Sequence, residues 1–139
     1  MAYWLFKSEP EAWSWDQQKA RGAKGEPWSG VRNYQAANNM KAMKTGDRGF
    51  FYHSVSEKRI VGIVEVIGEY RPDPTDETKR FGLVIVKAVC DVPKPVTLDD
   101  VKANPKLAGM ALLRQSRLSV QPVSAAEWQE LCRMGGVES

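Results

Sequence analysis

The stretch Trp28–Met40 concentrates side chains that could recognise a ligand. Its polar members are one arginine and four amides, namely Arg32, Asn33, Gln35, Asn38 and Asn39. Asparagine is a mediocre helix former, and lysine or glutamate would solubilise a helix surface better. Amides and an arginine near a helix start, beside aromatic rings, suit a planar ligand with donor and acceptor edges, such as a nucleobase with its phosphate. The alternative is a helix whose amides bond neighbouring loops and whose aromatics are core.

Two further polar clusters could complete such a site. Trp4 precedes Lys7-Ser8-Glu9, just as Trp28 precedes Arg32-Asn33, and a polar cluster beside an aromatic ring is typical of a pocket. Trp13 and Trp15 are interpreted instead as core residues. Late in the chain, alternation would place three polar side chains on one strand face, Arg117, Ser119 and Gln121. A solvated face explains those three equally well.

Catalytic and metal-binding patterns are scarce in this sequence. The single histidine, His53, lies in a predicted strand, where a hydrogen-bonding or ligand-contacting role is commoner than general base catalysis. Phosphate-loop, dinucleotide and nucleophile-elbow motifs are absent. The acidic residues Asp99-Asp100 are predicted to cap a helix, and Asp73 to Asp76 to lie in a solvated loop. We therefore expect no enzyme, no cofactor and no metal site.

The elements that must position these residues follow from hydrophobic patterning and turn residues. A helix capped by Ser29 or Gly30 is expected to bury Tyr34, Ala37, Met40 and Met43, and Pro93, Pro95 and Pro122 are expected to end strands. The strands are predicted at 3–7, 49–55, 60–67, 83–92 and 117–121. The helices are predicted at 13–21 (capped at Ser14), 31–43, 97–104 and 124–134, with an excursion loop at 72–82. This order favours an α+β fold with an antiparallel or mixed curled sheet flanked by short helices.

Length and composition set the remaining expectations. At 139 residues with a net charge of +3, the chain is expected to form one domain, residues 1–139, able to contact phosphates. Cys90 and Cys132 lack metal-ligand spacing and are interpreted as reduced thiols. Neither a signal peptide nor a membrane span is expected, so the prediction is a cytoplasmic monomer.

Four separated blocks closely resemble those of the EVE domain family, within the PUA-like superfamily. In chain order they are 3–10 (YWLFKSEP), 30–40 (GVRNYQAANNM), 51–54 (FYHS) and 117–122 (RLSVQP). The resemblance extends over essentially the whole chain. It implies a PUA-like fold, in which a curled, barrel-like sheet is flanked by short helices. It departs at Ala37, where many relatives have an arginine, which would remove a phosphate contact.

The resemblance also implies a function, which is binding of DNA or RNA through a flipped, modified base such as 5-methyl- or 5-hydroxymethylcytosine. The residues it assigns to the pocket or to nucleic acid are Trp4, Lys7, Ser8, Glu9, Trp28, Arg32, Asn33, Gln35, Asn38, His53, Ser54, Arg117 and Ser119. Two alternatives remain open at this point. One is an enzyme acting on a nucleotide or RNA through His53 or Glu9, and the other is a small-molecule or protein-interaction module.

Overall fold

The computed structural model describes residues 1–137 and contains one mixed, open sheet with short helices on both faces. The strand order is β2-β5-β4-β3-β1-β6, in which β1 and β3 are parallel and the other pairs antiparallel. The strands are β1 Tyr3–Ser8, β2 Glu26–Pro27, β3 Arg48–His53, β4 Arg59–Pro72, β5 Gly82–Thr97 and β6 Val120–Val123. The predicted α+β class and mixed sheet are confirmed, although the sheet does not close into a barrel. The predicted domain ends at residue 139, and its last two residues lie outside the described range.

Strands β5 and β6 continue past prolines that were predicted to end them. In addition, β4 extends to Pro72, beyond its predicted end at residue 67, and β2 was not predicted. Strand β5 continues through Pro93 and Pro95, which lie in the bulged stretch 92–95 opposite Val61 alone, so neither proline has to donate to the ladder. Strand β6 starts only at Val120 and contains Pro122, which pairs with Trp4. Because β6 is an edge strand, a proline without an N–H group is tolerated there.

The helices largely follow their predicted starts. They are α1 Trp15–Ala20, α2 Tyr34–Lys41, α3 Leu98–Ala103, α4 Ala111–Arg114 and α5 Ala125–Gly135. Ser14, Thr97 and Ser124 form the capping boxes of α1, α3 and α5. The start of α2 was predicted wrongly, since Asn33 caps it in place of Ser29 or Gly30. Tyr34, which was predicted to be buried, is exposed, and Ala36 occupies the core in its place.

The alternation of side chains along β1 divides the core between the two sheet faces. Trp4 and Phe6 pack on one face with α1, α2 and Trp28, whereas Leu5 packs on the other with the α3–α5 side. Gly62 allows the Trp15 ring to lie against β4, because an added Cβ there would come within 2.2 Å of that ring. Both faces of the sheet are thereby covered. Loops meet at the carboxyl ends of the parallel strands β1 and β3.

Two further expectations concern the state of the two cysteines and the absence of a membrane span. Cys90 is exposed, Cys132 is buried, and both are free thiols. Burial raises the pKa of the Cys132 thiol to about 11, which keeps it protonated at neutral pH. Within residues 1–137, no helix is long and apolar enough to cross a membrane.

Candidate functional site

A cleft of about 430 Å³, which we call the first cleft, opens where the end of β1 meets the segment before α2. Six of the predicted site residues line it together, namely Lys7, Ser8, Glu9, Trp28, Arg32 and Ser119. They come from three distant parts of the sequence. The pairing of β1 with β6 accounts for one junction, because the Lys7 amide donates to the Ser119 carbonyl at 2.9 Å just before the β6 ladder begins.

Two tryptophans form the aromatic part of the first cleft. Trp28 is held edge to face against Phe6 and Phe51, with ring centroids 5.2 Å and 5.7 Å apart. Trp13 was predicted to be core, but it is only half-buried and lines the cleft. Its indole N–H donates to Gln18 Oε1 at 3.0 Å, which fixes the ring orientation. The first cleft thus carries two oriented aromatic rings.

The end of β1 supplies the polar groups of the first cleft. The Ser8 hydroxyl donates to the Trp13 carbonyl at 2.6 Å and therefore ties β1 to this aromatic segment. The Glu9 side chain is exposed, while its backbone carbonyl accepts from the amides of Ala12 and Trp13. Lys7 Nζ donates to the Ser116 carbonyl at 2.6 Å, and burial lowers the pKa of Lys7. The end of β1 thus presents the exposed Glu9 carboxylate and the Lys7 ammonium group, which is fixed at the cleft wall.

Arg32 is fixed at the opposite side by a buried carboxylate. Its guanidinium donates to Asp73 Oδ2 at 3.2 Å and to Thr75 Oγ1 at 3.0 Å, and the Gly30 amide donates to the same Asp73 oxygen at 2.8 Å. Burial of Asp73 opposes its ionisation, but hydrogen bonds from Thr75, Gly30 and Arg32 outweigh it and lower its pKa to about 2. Arg32 remains 39% exposed at its side chain, which leaves part of its charge open to a ligand.

A second cleft of about 590 Å³ adjoins the first and shares Lys7, Glu9 and Ser119 with it. The predicted site residues Ser54 and Arg117 lie here. Sequence reasoning did not single out the residues that complete the second cleft, since they lie on other elements: Tyr52, Val55, Lys58, Leu98, Leu112 and Ser116. Only the fold brings them beside β1.

The predicted amides are divided between support and surface. Asn33 and Gln35 line a groove of about 320 Å³ beside Arg117, outside the first cleft. Asn33 Oδ1 accepts from the Ala36 amide at 2.9 Å as the cap of α2, and Gln35 donates to Gln115 Oε1 at 2.8 Å. Asn38 is exposed on α2 and lines none of these clefts. The helix therefore braces the 115–119 loop more than it faces the first cleft.

Three predicted site residues are buried, namely Trp4, Trp28 and His53, and of these only Trp28 lines a cleft. The Trp4 indole is 6% exposed and donates to Asp47 Oδ2 at 3.1 Å, so its ring is a core contact rather than a cleft wall. His53 Nε2 accepts from the Trp15 amide at 3.0 Å, which places the ring proton on Nδ1, 2.9 Å from Glu57 Oε1. Both ring nitrogens are thereby engaged within the protein.

Burial corrects two smaller sequence interpretations and confirms a third. Gln121 does not share an exposed face with Arg117 and Ser119; it is fully buried, and its amide holds the 115–119 loop through the carbonyls of Gln115 and Leu118. Asp73 and Asp76 are buried loop-organising residues rather than solvated ones. Ala37 is buried as predicted, at 2% exposed, and the loss of a phosphate contact at this position stays a prediction.

The described part of the chain offers no grouping of three histidine, cysteine or carboxylate residues that could hold a metal ion. What residues 1–137 do assemble is a pair of adjoining clefts, with two tryptophans in the first and cations in both. Such an arrangement can hold a planar ring by stacking and a neighbouring anion by charge.

The chain is similar to a known domain family and to known proteins. The model of the EVE domain matches residues 2–134. Thymocyte nuclear protein 1 of Gallus gallus is 34% identical over 158 residues, an alignment that covers 91% of this chain and 65% of that protein. The chain thus spans just under two thirds of that relative's length.

Two solved structures are similar over nearly their whole length. A protein from Agrobacterium tumefaciens is 59% identical, with a TM-score of 0.97 and coverage of 99% of this chain and 94% of that chain. Human THYN1, crystallised in complex with DNA containing 5-methylcytosine, is 30% identical, with a TM-score of 0.91 and coverage of 100% of both chains.

Proposed function

This chain belongs to the EVE domain family, as its sequence blocks predict, and we propose that it is a non-catalytic reader of modified bases in nucleic acid. The polymer is DNA or RNA, and the accepted base is a flipped 5-methyl- or 5-hydroxymethylcytosine or a modified RNA base. The first cleft receives that base. The second cleft and the exposed cations meet the sugar–phosphate backbone.

The observation that carries this proposal is the first cleft, where Trp13 and Trp28 stand beside charged and hydroxyl side chains in about 430 Å³. Every base has an aromatic face, and stacking on an aromatic side chain is worth roughly 1–3 kcal/mol per base. Extruding a base costs a few kcal/mol, least for a single-stranded or perturbed site. Stacking and edge hydrogen bonds together can therefore offset the cost of extrusion.

Discrimination between bases would come from the polar end of β1. The exposed Glu9 carboxylate is an acceptor suited to an exocyclic amine such as N4 of cytosine. The Ser8 hydroxyl already donates to Trp13, so its oxygen is available to accept. Ser119, next to β1, contributes a third polar group to the first cleft. A base that carries an amine edge fits this set better than one with a carbonyl at that position.

The DNA complex of human THYN1 supports the choice of nucleic acid and of a modified cytosine as the first ligand to try. The similarity covers the whole of both chains, so it includes the segments that form the first cleft here. The proposal for this chain still rests on its own cleft residues, which are the ones the experiment changes.

The test is a titration of paired oligonucleotides, in DNA and in RNA, that differ only by a methyl or hydroxymethyl group on one cytosine. We expect the wild-type protein to prefer one modified member of a pair. Replacing the exposed carboxylate by Glu9→Ala should weaken binding to that oligonucleotide about tenfold, because a hydrogen bond to a charged group is worth about 1.5–3 kcal/mol. Binding to an oligonucleotide with thymine or uracil at the same position should change little.

The control is Glu77→Ala, which removes an exposed carboxylate from the β4–β5 loop, outside all three clefts. It should leave both affinities unchanged. Equal binding of modified and unmodified oligonucleotides by the wild-type protein would refute the reader function. Equal loss in the two variants would refute the role of Glu9.

A further inference from the structure

The turn after β3 holds a valine in a backbone conformation that valine rarely adopts. Val55 has φ of 66°, and the residue is 64% exposed. A β-branched residue at positive φ is a genuine outlier, since its Cβ crowds the following carbonyl. Strain of this kind persists where surrounding structure imposes it, often at ligand-binding segments. Because Val55 is exposed, packing of its side chain stabilises the fold too little to offset the backbone strain.

The turn 54–58 is held in place from three sides. Glu57 accepts from His53 Nδ1 at 2.9 Å and from Arg59 Nε at 3.0 Å. Ser56 donates to Glu11 Oε1 at 3.0 Å, and the Ser54 amide donates to the Ser8 carbonyl at 2.9 Å. These bonds connect the turn to β3, β4 and the end of β1. The exposed Val55 is therefore presented by a braced turn rather than by a loose one.

The second cleft, which Val55 lines, has the charge expected of a phosphate site. Lys7, Lys58 and Arg117 line it with a single carboxylate, Glu9, at the boundary with the first cleft. Its remaining wall is largely apolar, formed by Tyr52, Leu98 and Leu112. Apolar surface with cations at the edge matches a nucleotide, because its base has a flat face that can pack on apolar side chains and its phosphodiester is anionic.

We propose that the second cleft holds the nucleotide adjacent to the accepted base, with Val55 packed against its base or sugar and Lys58 and Arg117 against its phosphate. This inference rests on the proposed function, because the first cleft must hold the modified base. Continuity supports it, since the two clefts share Lys7, Glu9 and Ser119 and a chain leaving the first cleft enters the second directly.

The first test lengthens the ligand one nucleotide at a time. 5-Methyl-2′-deoxycytidine is titrated by NMR, followed by the two single-stranded DNA dinucleotides that extend it on the 5′ or the 3′ side, and by the matching ribonucleotide series. We expect one of the two extensions to tighten binding at least tenfold and the other to have a smaller effect. If the nucleoside binds and neither extension tightens binding, this inference is overturned while the reader function stands. If the nucleoside and the longer oligonucleotides all fail to bind, both fall.

The second test uses two lysines with the same backbone conformation. Lys58 and Lys79 have φ of 53° and 60°, and asparagine tolerates this region better than lysine does. Lys58→Asn should weaken binding of the favoured dinucleotide about threefold or more and leave nucleoside binding unchanged. Lys79→Asn, on the β4–β5 loop, should alter neither. Identical behaviour of the two variants would overturn the phosphate contact.

The third test separates the strain at Val55 from its contact. Val55→Asn should raise the melting temperature by a few degrees, because asparagine relieves the positive φ. The same variant should weaken binding of the favoured dinucleotide, because the apolar contact is lost. A stabilised variant that binds the dinucleotide as tightly as the wild-type protein would overturn the role of Val55.

Discussion

At the scale of single residues, His53 has the hydrogen-bonding role that is common for a lone histidine in a strand. A lone histidine in a strand could have been a base-contacting or acid–base group, but both of its ring nitrogens are bonded to other parts of the protein. The ring also lies edge to face against Phe51, with centroids 5.7 Å apart. His53 thus links α1, β3 and the turn 54–58, and its contacts favour a structural role over catalysis.

His53→Ala should lower the free energy of unfolding by about 2 kcal/mol, because it leaves the buried Trp15 amide without its acceptor. Urea denaturation measures this loss. As a comparison, Glu57→Gln keeps a neutral acceptor for Nδ1 and should cost less. A His53→Ala protein that is as stable as the wild type but has lost a nucleotide-processing turnover would instead support the enzyme alternative.

Residue identity in the first cleft was partly predictable from sequence. Lys7, Ser8 and Glu9 stand together after an aromatic strand, so their cluster was visible, and Ser119 belonged to a recognisable block. Trp13 was not predicted, because an aromatic residue next to a predicted helix looks the same whether it faces the core or a cleft. Val55 and Lys58, which line the second cleft, were also not predicted. What distinguishes them is a positive φ angle, which sequence patterning does not show.

At the scale of elements, the loop between β4 and β5 is organised by two buried carboxylates. Asp76 accepts from the hydroxyl and amide of Thr78 and from the amides of Arg80 and Phe81, and its pKa is lowered to about 2, chiefly by the Thr78 hydroxyl. At the other end of the loop, Asp73 likewise accepts hydrogen bonds, including those from the Arg32 guanidinium and the Gly30 amide. The polar excursion loop predicted from sequence is therefore ordered, and it supports one wall of the first cleft.

The depressed pKa of Asp73 predicts how stability depends on pH. Its ionised form is favoured in the folded protein, with a pKa of about 2 against 3.8, so its contribution is fully present above about pH 4 and is lost as pH falls towards 2. Asp73→Asn should remove on the order of 1–2 kcal/mol at pH 7 and flatten the acid limb of the curve. Urea titrations at several pH values would measure both effects.

The matched control is Asp99→Asn, which changes an exposed carboxylate in the first turn of α3. It should leave the slope of stability between pH 4 and pH 2 close to that of the wild-type protein. An equally steep acid limb in Asp73→Asn would mean that Asp73 is not a source of that slope.

Element boundaries could be predicted where local chemistry decides them. The capping boxes at Ser14, Thr97 and Ser124 depend on residues three positions apart, and all three are present in the structure. Strand ends depend instead on pairing partners. Pro93, Pro95 and Pro122 were expected to end strands, but a bulge and a sheet edge tolerate them. These tertiary circumstances are not encoded in the neighbouring residues.

At the scale of the whole molecule, charge placement matters more than net charge. The chain has 20 basic and 17 acidic residues, a small excess for the proposed reader of nucleic acid. Yet Lys7, Arg32, Lys58 and Arg117 all line the two adjoining clefts. A local excess of this kind can engage phosphates while the remaining surface stays nearly neutral.

Binding to a single-stranded oligonucleotide should accordingly depend on salt. With about three phosphate contacts and a slope of roughly 0.7 per contact, raising salt from about 50 to 200 mM should weaken binding about 20-fold. Arg117→Ala should reduce the slope by roughly one contact, as measured by titration at four or five salt concentrations. Affinity that is insensitive to salt would instead favour a small-molecule or protein-interaction module.

The pairing of β1 with β6 has a consequence for the protein during its synthesis. Residues 3–6 find their antiparallel partners only at 120–123, and Lys7 meets Ser119 at the same junction. A nascent chain on the ribosome can build β3, β4 and β5 while β1 still lacks one neighbour, and both clefts lack a wall until the β6 segment has emerged. The clefts therefore form only after the β6 segment has been synthesised and has paired with β1.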